Sequence, residues 1–333
     1  MVSANSKAEK MVDKRPSLAD IRAAAARIAP YIHRTPVFRG RSVNELAGAE
    51  LFFKCENLQR GGAFKIRGAM NAVLALSPQE AARGVVTHSS GNHAAALALA
   101  ARSKGIVAHI VVPENAPAVK LAAVRAYGGR ITTCAPTMTA REEATSRIVA
   151  ETGATLIHPY NDYRIIAGQG TAALELMEEV EGLDMVLAPV SGGGLLSGTA
   201  IAAKGLRPGI QVIGCEPQNA DDAYRSLRAG RIVSNEHPAT IADGLRANLG
   251  DKTFPIIREL VDDIVLVSEE EIVQAMQLLF ERLKLVVEPS GAVPLAAALS
   301  GRLGVQGMRM GIILSGGNVD MTAFFNSLLP HCA

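Results

Sequence analysis

Short runs rich in β-branched residues, bounded by glycine, proline or polar residues, alternate along this chain with longer amphipathic or alanine-rich stretches. That alternation restricts the fold more than any other feature, because repeated strand, helix, strand units build mostly parallel open sheets covered by helices. Strands are predicted at 51–55, 84–88, 108–112, 130–134, 155–158, 185–188, 211–215, 264–267 and 310–314. Helices are predicted at 17–28, 64–76, 92–104, 117–127, 139–151, 167–179, 195–204, 269–284, 291–299 and 320–328. Ser17 and Asp20 stand at capping-box spacing, and Pro117 occupies a first helical position. The fold class is α/β. In such open sheets ligands sit beyond the carboxyl ends of the strands, where loops run into helix N-termini. Three loops rich in Gly and Ser hold that position: Ser89-Ser90-Gly91-Asn92-His93, Ser191-Gly192-Gly193-Gly194 and Ser315-Gly316-Gly317-Asn318.

Charge and composition exclude several partners. Thirty-four basic residues against 32 acidic ones leave a net charge of +2, too small and dispersed to attract nucleic acid or an anionic membrane. With 4% aromatic residues and no Trp there is no stacking platform for single strands, whereas 31 glycines let backbone approach a ligand closely. The longest wholly apolar run, 94–101, falls far short of the roughly 20 residues of a membrane span. The first fifteen residues lack the apolar segment of a secretory signal, and Cys55, Cys134, Cys215 and Cys332 are too scattered for a zinc cluster or a disulfide framework. A cytoplasmic protein with reduced thiols is expected.

The loops suggest chemistry. At 191–194, consecutive backbone N–H groups running into a helix start would cradle a phosphate; a tight connection that needs glycine only for its dihedral freedom is the plain alternative. The spacing fits neither the P-loop nor the dinucleotide fingerprint. Lys65 lies at a loop-to-helix junction among Gly61, Gly62, Ala63, Phe64, Gly68 and Ala69. Neighbours that keep water away favour its neutral amine, as a Schiff-base lysine requires, although a lone lysine there would more often be a solvated surface residue. The loop from Ser89 to His93 suits a carboxylate, and alone reads equally well as a helix cap with a structural histidine.

Taken together, Lys54-Cys-Glu-Asn-Leu-Gln59, Phe64-Lys65-Ile66-Arg67-Gly68-Ala69, Ser89-Ser-Gly-Asn-His93, Ala167-Gly-Gln-Gly-Thr171, Ile241-Ala-Asp-Gly-Leu245, Glu288-Pro-Ser-Gly-Ala292 and Ser315-Gly-Gly-Asn-Val-Asp320 resemble the fold-type II pyridoxal-phosphate enzymes. Within them the chain is similar to the serine/threonine dehydratase and serine racemase branch. The resemblance implies a two-domain architecture like that of the tryptophan synthase β subunit. Residues 1–77 and 162–333 would form the large cofactor-binding domain, and 78–161 a small domain closing over substrate, in a homodimer. It implies pyridoxal 5'-phosphate bound as a Schiff base to Lys65, with Phe64 packing on the cofactor. The phosphate would lie on Ser191, Gly192, Gly193, Gly194 and Leu195, with the Ser191 hydroxyl added to the cradle. Asn92 would meet the phenolic oxygen and Ser315 the pyridine nitrogen. Ser89, Ser90, Gly91, Asn92 and His93 would hold the substrate carboxylate, and Ser90 matches the opposite-face acid/base of the racemases. Glu216, the Ala220 carbonyl and Asp222 match a site for Mg²⁺, Mn²⁺ or Ca²⁺, a hard oxygen set; by spacing alone the two acids read as a cap or a solvated face.

A neutral hydroxyl at the pyridine nitrogen disfavours a long-lived carbanion and suits prompt loss of a leaving group. The implied reaction is dehydration of a 3-hydroxy amino acid such as L-threonine or L-serine to a 2-oxo acid and ammonia, with Lys65 as general base. Serine racemase and threo-3-hydroxyaspartate dehydratase are the alternatives. Arg141 matches a position that meets a second carboxylate in relatives, and reads equally as a solvated helix residue. Tyr160 and Asn161 alter the wall beside the substrate. The regulatory domain of biosynthetic threonine dehydratases is not expected after Ala333, nor is feedback inhibition by isoleucine. Two other classes stay open: a Rossmann oxidoreductase, which lacks its fingerprint here, and a non-catalytic cofactor-binding relative, which would have lost Lys65.

Overall fold

A computed structural model describes residues 14–116 and 118–320, at 118–120 for the backbone alone. Pro117, Cys332 and, past Asp320, the helix expected at 320–328 lie outside the described residues. The strands are β1 (Val37–Phe38), β2 (Glu50–Cys55), β3 (Val85–His88), β4 (Ala108–Pro113), β5 (Arg130–Cys134), β6 (Thr155–Leu156), β7 (Met185–Pro189), β8 (Gln211–Pro217), β9 (Asp263–Val267) and β10 (Arg309–Leu314). They form a six-stranded sheet, β1-β2-β10-β7-β8-β9, and a four-stranded sheet, β5-β4-β3-β6, drawn entirely from residues 85–156. Every pairing is parallel except that of β1 with β2.

The sequence dictates much of this locally. β7 is buried along its whole length and β2 and β10 at all but their first residue, as strands covered on both faces must be, so β7 and β10 past its first residue read as continuous apolar runs, and β2 is interrupted by the buried Lys54. Two apolar clusters sandwich the larger sheet: Leu51 and Phe53 face one, and Phe52 between them faces the other. Helix Leu18–Ile28 starts at the expected Ser17/Asp20 capping box, and Ser77/Glu80 and Ser268/Glu271 form two more. Helix Tyr163–Glu179 begins earlier than expected because the Asp162 side chain accepts from the Arg164 N–H. β6 stops at Leu156, short of the expected His158, whose ring instead caps the next turn, accepting from the N–H groups of Tyr160 and Asn161. Helices Arg41–Ala47, Pro78–Arg83, Asp222–Ala229 and Phe254–Leu260 were not expected; each is too short to display a 3.6-residue period.

Helix Tyr163–Glu179 is the central buttress of the site. It packs on helix Lys65–Leu74 and on helix Gly194–Leu206 through facing glycines; a Cβ on Gly198 would stand 2.5 Å from the Gly170 nitrogen, so only bare backbone permits this approach. Among the described residues no helix is long and apolar enough to cross a membrane.

Candidate active site

The loops leaving the carboxyl ends of β2, β3, β6, β7 and β10 converge. The segment before Lys65 zips antiparallel onto the segment after β10: Ala63 bridges Gly316, the Phe64 N–H donates to Ser315 O (2.9 Å) and the Gly317 N–H to Gly62 O (2.9 Å). Lys65 is thereby delivered as the first residue of its helix, partly buried, with Nζ 5.0 Å from the Phe64 ring centre and donating to Pro159 O at 3.0 Å. Burial pulls its pKa down to about 8, against the opposing charge of Glu288. A sizeable neutral fraction, and hence nucleophilic and basic capacity, follows at mildly alkaline pH.

Pro159 ties the lysine to the glycine loop, because the next residue, Tyr160, lies directly over it. A Cβ on Gly192 would meet the Tyr160 ring at 2.4 Å, and one on Gly194 the Tyr160 Cβ at 3.0 Å. Gly193 caps helix Gly194–Leu206 in the left-handed region (φ 91°), a conformation that suits glycine, and no side chain caps the first-turn N–H groups. The Ser191 hydroxyl does not join this set as expected. It donates to Ala247 O (3.0 Å) and accepts from Ala247 N–H (2.9 Å), so its one proton is spent on fixing the neighbouring loop.

Asn92 opens helix Asn92–Lys104, and its Nδ2 donates to both carboxylate oxygens of Glu288 (2.8 and 3.1 Å), while its Oδ1 accepts from Asn318 Nδ2 (3.0 Å). The Glu288 carboxylate engages one of the two Nδ2 protons, and the second is what the implied role of Asn92 would use. Sequence reasoning assigned Glu288 no role; only its place in the Glu288-Pro-Ser-Gly-Ala292 motif signalled it. Ser315 follows β10 directly and is 2% exposed. Ser89, Ser90 and Gly91 stay partly accessible between β3 and the helix, and a Cβ on Gly91 would stand in open space. His93 is buried, its Nε2 against Ile157 O (3.2 Å), and desolvation together with the Lys65 charge holds its pKa well below the usual histidine value. His158, packed edge-on between His88 and Tyr160, is driven by burial and by His88 to about 4. The histidines around Lys65 are thus neutral near pH 7, which places His93 as a structural residue rather than a charged one.

Arg141, on helix Met138–Thr152, sits near enough to His88 for its charge to depress that histidine's pKa, a smaller effect than burial. Its Nε is sealed from solvent and has no hydrogen-bond partner among the described residues. A buried guanidinium N–H without an acceptor is uncommon.

The expected acid set lies at the end of β8. Glu216 is fully buried, its carboxylate accepting from the N–H groups of Ala223 (3.0 Å) and Tyr224 (2.8 Å); Asp222 accepts from Leu249 N–H (3.2 Å). Burial and Asp222 hold the Glu216 pKa well above the ordinary range, and burial lifts Asp222 to about 7. Two carboxyls that both resist ionisation suit a hard divalent cation as the missing counter-charge. No third His, Cys, Asp or Glu joins them among the described residues, leaving the Ala220 carbonyl as the remaining ligand of the implied set.

The uncapped N–H groups at Gly192 to Leu195, the buried Ser315 hydroxyl and the lysine amine of lowered pKa fit the phosphate, ring nitrogen and aldehyde of the implied cofactor. Residues 28–316 match the family described as pyridoxal-phosphate dependent enzyme. A serine racemase of Arabidopsis thaliana is 55% identical over 312 residues, covering 92% of this chain and 94% of that protein. A beta-hydroxyaspartate dehydratase of Paracoccus denitrificans is 51% identical over 306 residues, covering 92% and 97% respectively. The solved structure of maize serine racemase superposes with a TM-score of 0.92 at 50% identity, covering 96% of this chain and 98% of that one.

Proposed function

Because the chain belongs to the pyridoxal-phosphate dependent enzyme family, we propose that it is an ammonia-lyase that eliminates water from a 3-hydroxy amino acid, with 3-hydroxyaspartate as the substrate its site favours. The net change is removal of the α-proton and the 3-hydroxyl, then hydrolysis to a 2-oxo acid and ammonia. The observation that carries the choice of substrate is the sealed, partnerless Nε of Arg141 on the same side as the Ser89 to His93 loop. A second substrate carboxylate supplies the acceptor that this guanidinium lacks.

The bound cofactor supplies an electron sink for the charge left at the α-carbon. The chain's own residues do the rest. The N–H groups and hydroxyls of Ser89, Ser90 and Gly91 bind the substrate's α-carboxylate, with open space before Gly91 admitting it. Lys65 takes the α-proton on Nζ; its lowered pKa matches the task, and the Pro159 carbonyl holds Nζ in place. His93 and His158 stay uncharged and do not compete for the substrate carboxylates. Ser315, a neutral hydroxyl, leaves the ring nitrogen largely unprotonated, which favours prompt elimination over a long-lived carbanion. The stretch 78–161, which carries the four-stranded sheet and Arg141, acts as the small domain closing over substrate, and Glu216, Ala220 and Asp222 hold a structural divalent cation.

A second reading, serine racemase, is favoured by Ser90, which stays partly accessible and matches an opposite-face proton donor, and by the Arabidopsis and maize relatives. Incubation with L-threo-3-hydroxyaspartate, L-serine and L-threonine, following 2-oxo acid, ammonia and D-isomer, separates the two. The proposal expects 2-oxo acid mainly from hydroxyaspartate, and Arg141→Met lowering kcat/KM for that substrate about 100-fold while sparing serine. Predominant D-serine with little 2-oxo acid would overturn it.

A further inference from the structure

The glycine loop is held from behind by a residue that no motif announces. Thr253 is fully buried, and its Oγ1 lies 2.7 Å from Gly192 O and 3.1 Å from Gly250 O, while accepting from Gly250 N–H at 2.9 Å. Gly250 O already accepts from Phe254 N–H (2.9 Å), so the single hydroxyl proton goes to the nearer and otherwise unclaimed oxygen, that of Gly192. The contact is tight on the neighbouring residue too: a Cβ on Gly193 would lie 2.8 Å from both Cβ and Oγ1 of Thr253.

A trans peptide is planar, and its C=O and N–H point in opposite directions. Drawing Gly192 O toward Thr253 therefore turns the Gly193 N–H away from it, the orientation an anion cradle needs. The same logic fixes the next peptide, because Ser197 N–H donates to Gly193 O (2.9 Å) and so turns the Gly194 N–H outward. Between two glycines a peptide plane rotates with little steric resistance. Rotated, the 192–193 unit would present a carbonyl oxygen to an incoming phosphate in place of an N–H.

We infer that Thr253 is a positioning residue that locks the 192–193 peptide with its N–H toward the cofactor's phosphate, and so makes the protein select the phosphorylated aldehyde over the unphosphorylated one. The inference rests on the cofactor reading above and concerns only its phosphate end. Thr253 reaches the phosphate through Gly192 and Gly193, without touching substrate or the reacting atoms.

The test is equilibrium titration of cofactor-free protein with pyridoxal phosphate and, separately, with pyridoxal, for the parent chain and for Thr253→Val, Thr253→Ser and Thr253→Ala. Valine keeps the volume and removes the hydroxyl; serine keeps the hydroxyl. Thr253→Val is expected to weaken pyridoxal phosphate binding about tenfold or more while moving pyridoxal affinity less than about twofold, with Thr253→Ser within about threefold of the parent for both. Valine also strips the acceptor from Gly250 N–H, but that loss weakens both ligands together and leaves their ratio unchanged. Equal loss for both ligands, or undiminished phosphate selectivity in Thr253→Val, overturns the inference. If the valine chain does not fold, Thr253→Ala against Thr253→Ser decides by the same ratio. A parent chain that binds neither ligand refutes the cofactor reading, and the inference with it.

Discussion

Arg67, two residues into the helix that presents Lys65, offers a sharp energetic test. Its side chain is 0% exposed, and all five guanidinium N–H donors are placed. Nε meets Glu56 Oε2 at 2.7 Å; Nη2 meets Glu56 Oε1 and Glu175 Oε2, both at 2.8 Å; Nη1 meets Glu175 Oε1 at 2.7 Å and Thr171 Oγ1 at 3.1 Å. Lys54, equally buried, adds a second cation 2.7 Å from Glu175, so two buried cations face two buried carboxylates. Burial alone would raise the Glu175 pKa, but hydrogen bonding and charge from Arg67, then Lys54, more than offset it and hold it below the ordinary value. Arg67→Met keeps much of the volume and leaves one buried negative charge without compensation, which costs about 3–5 kcal/mol. Adding Glu56→Gln restores neutrality and returns more than half of that loss, a positive coupling in the double-mutant cycle. Urea unfolding with each single and double variant measures both quantities, with equal m-values required before midpoints are compared. A loss below about 1 kcal/mol for Arg67→Met, or a double variant less stable than Arg67→Met alone, would refute the reasoning. The sign with pH is fixed as well: the depressed Glu175 stabilises the fold above the ordinary glutamate range, and that contribution is lost as pH falls through its lowered pKa.

Two further outcomes are expected. In cofactor-free protein Lys65 should react with an amine reagent with a midpoint near pH 8, well below ordinary lysines; because the unfolded chain keeps that proton to about 10.5, its contribution to stability rises with pH between those values, and a Lys65→Ala chain should lose both signals. Millimolar Mg²⁺ should raise the thermal midpoint of chelator-treated protein by several degrees, about 1–2 kcal/mol of linkage, and Asp222→Asn should abolish the response in the same scan.

What was legible in the sequence was local. The buried strands announce themselves as continuous apolar runs, and Ser17, Ser77 and Ser268 mark helix starts through their own side chains. Lys65 and the 191–194 loop are readable because the chemistry needs a lysine at a helix start and bare backbone at another. The remainder depends on contacts that no window contains. Glu288 grips Asn92 from 196 positions away, and Thr253 reaches the glycine loop from 61. Ser191 shows the converse: its type suggested a phosphate contact, but the arrival of Ala247 redirects the hydroxyl. β1, only two residues long, exists because β2 offers it an edge, not because Val37 and Phe38 demand extension.

The place of β10 in the larger sheet has a consequence for how the chain is made. The last strand described inserts between β2 and β7, so a growing chain exposes β2 and β7 as two unpaired edges until Leu314 has emerged. The four-stranded sheet, drawn from one continuous stretch, meets no such delay. During synthesis the protein therefore passes through a long interval with one sheet complete and the other split, when association with another nascent copy is the chief hazard. The zipper that delivers Lys65 joins residues 62–64 to 315–317, so it closes only at the end of that interval. Placement of Lys65 and completion of the sheet are one event.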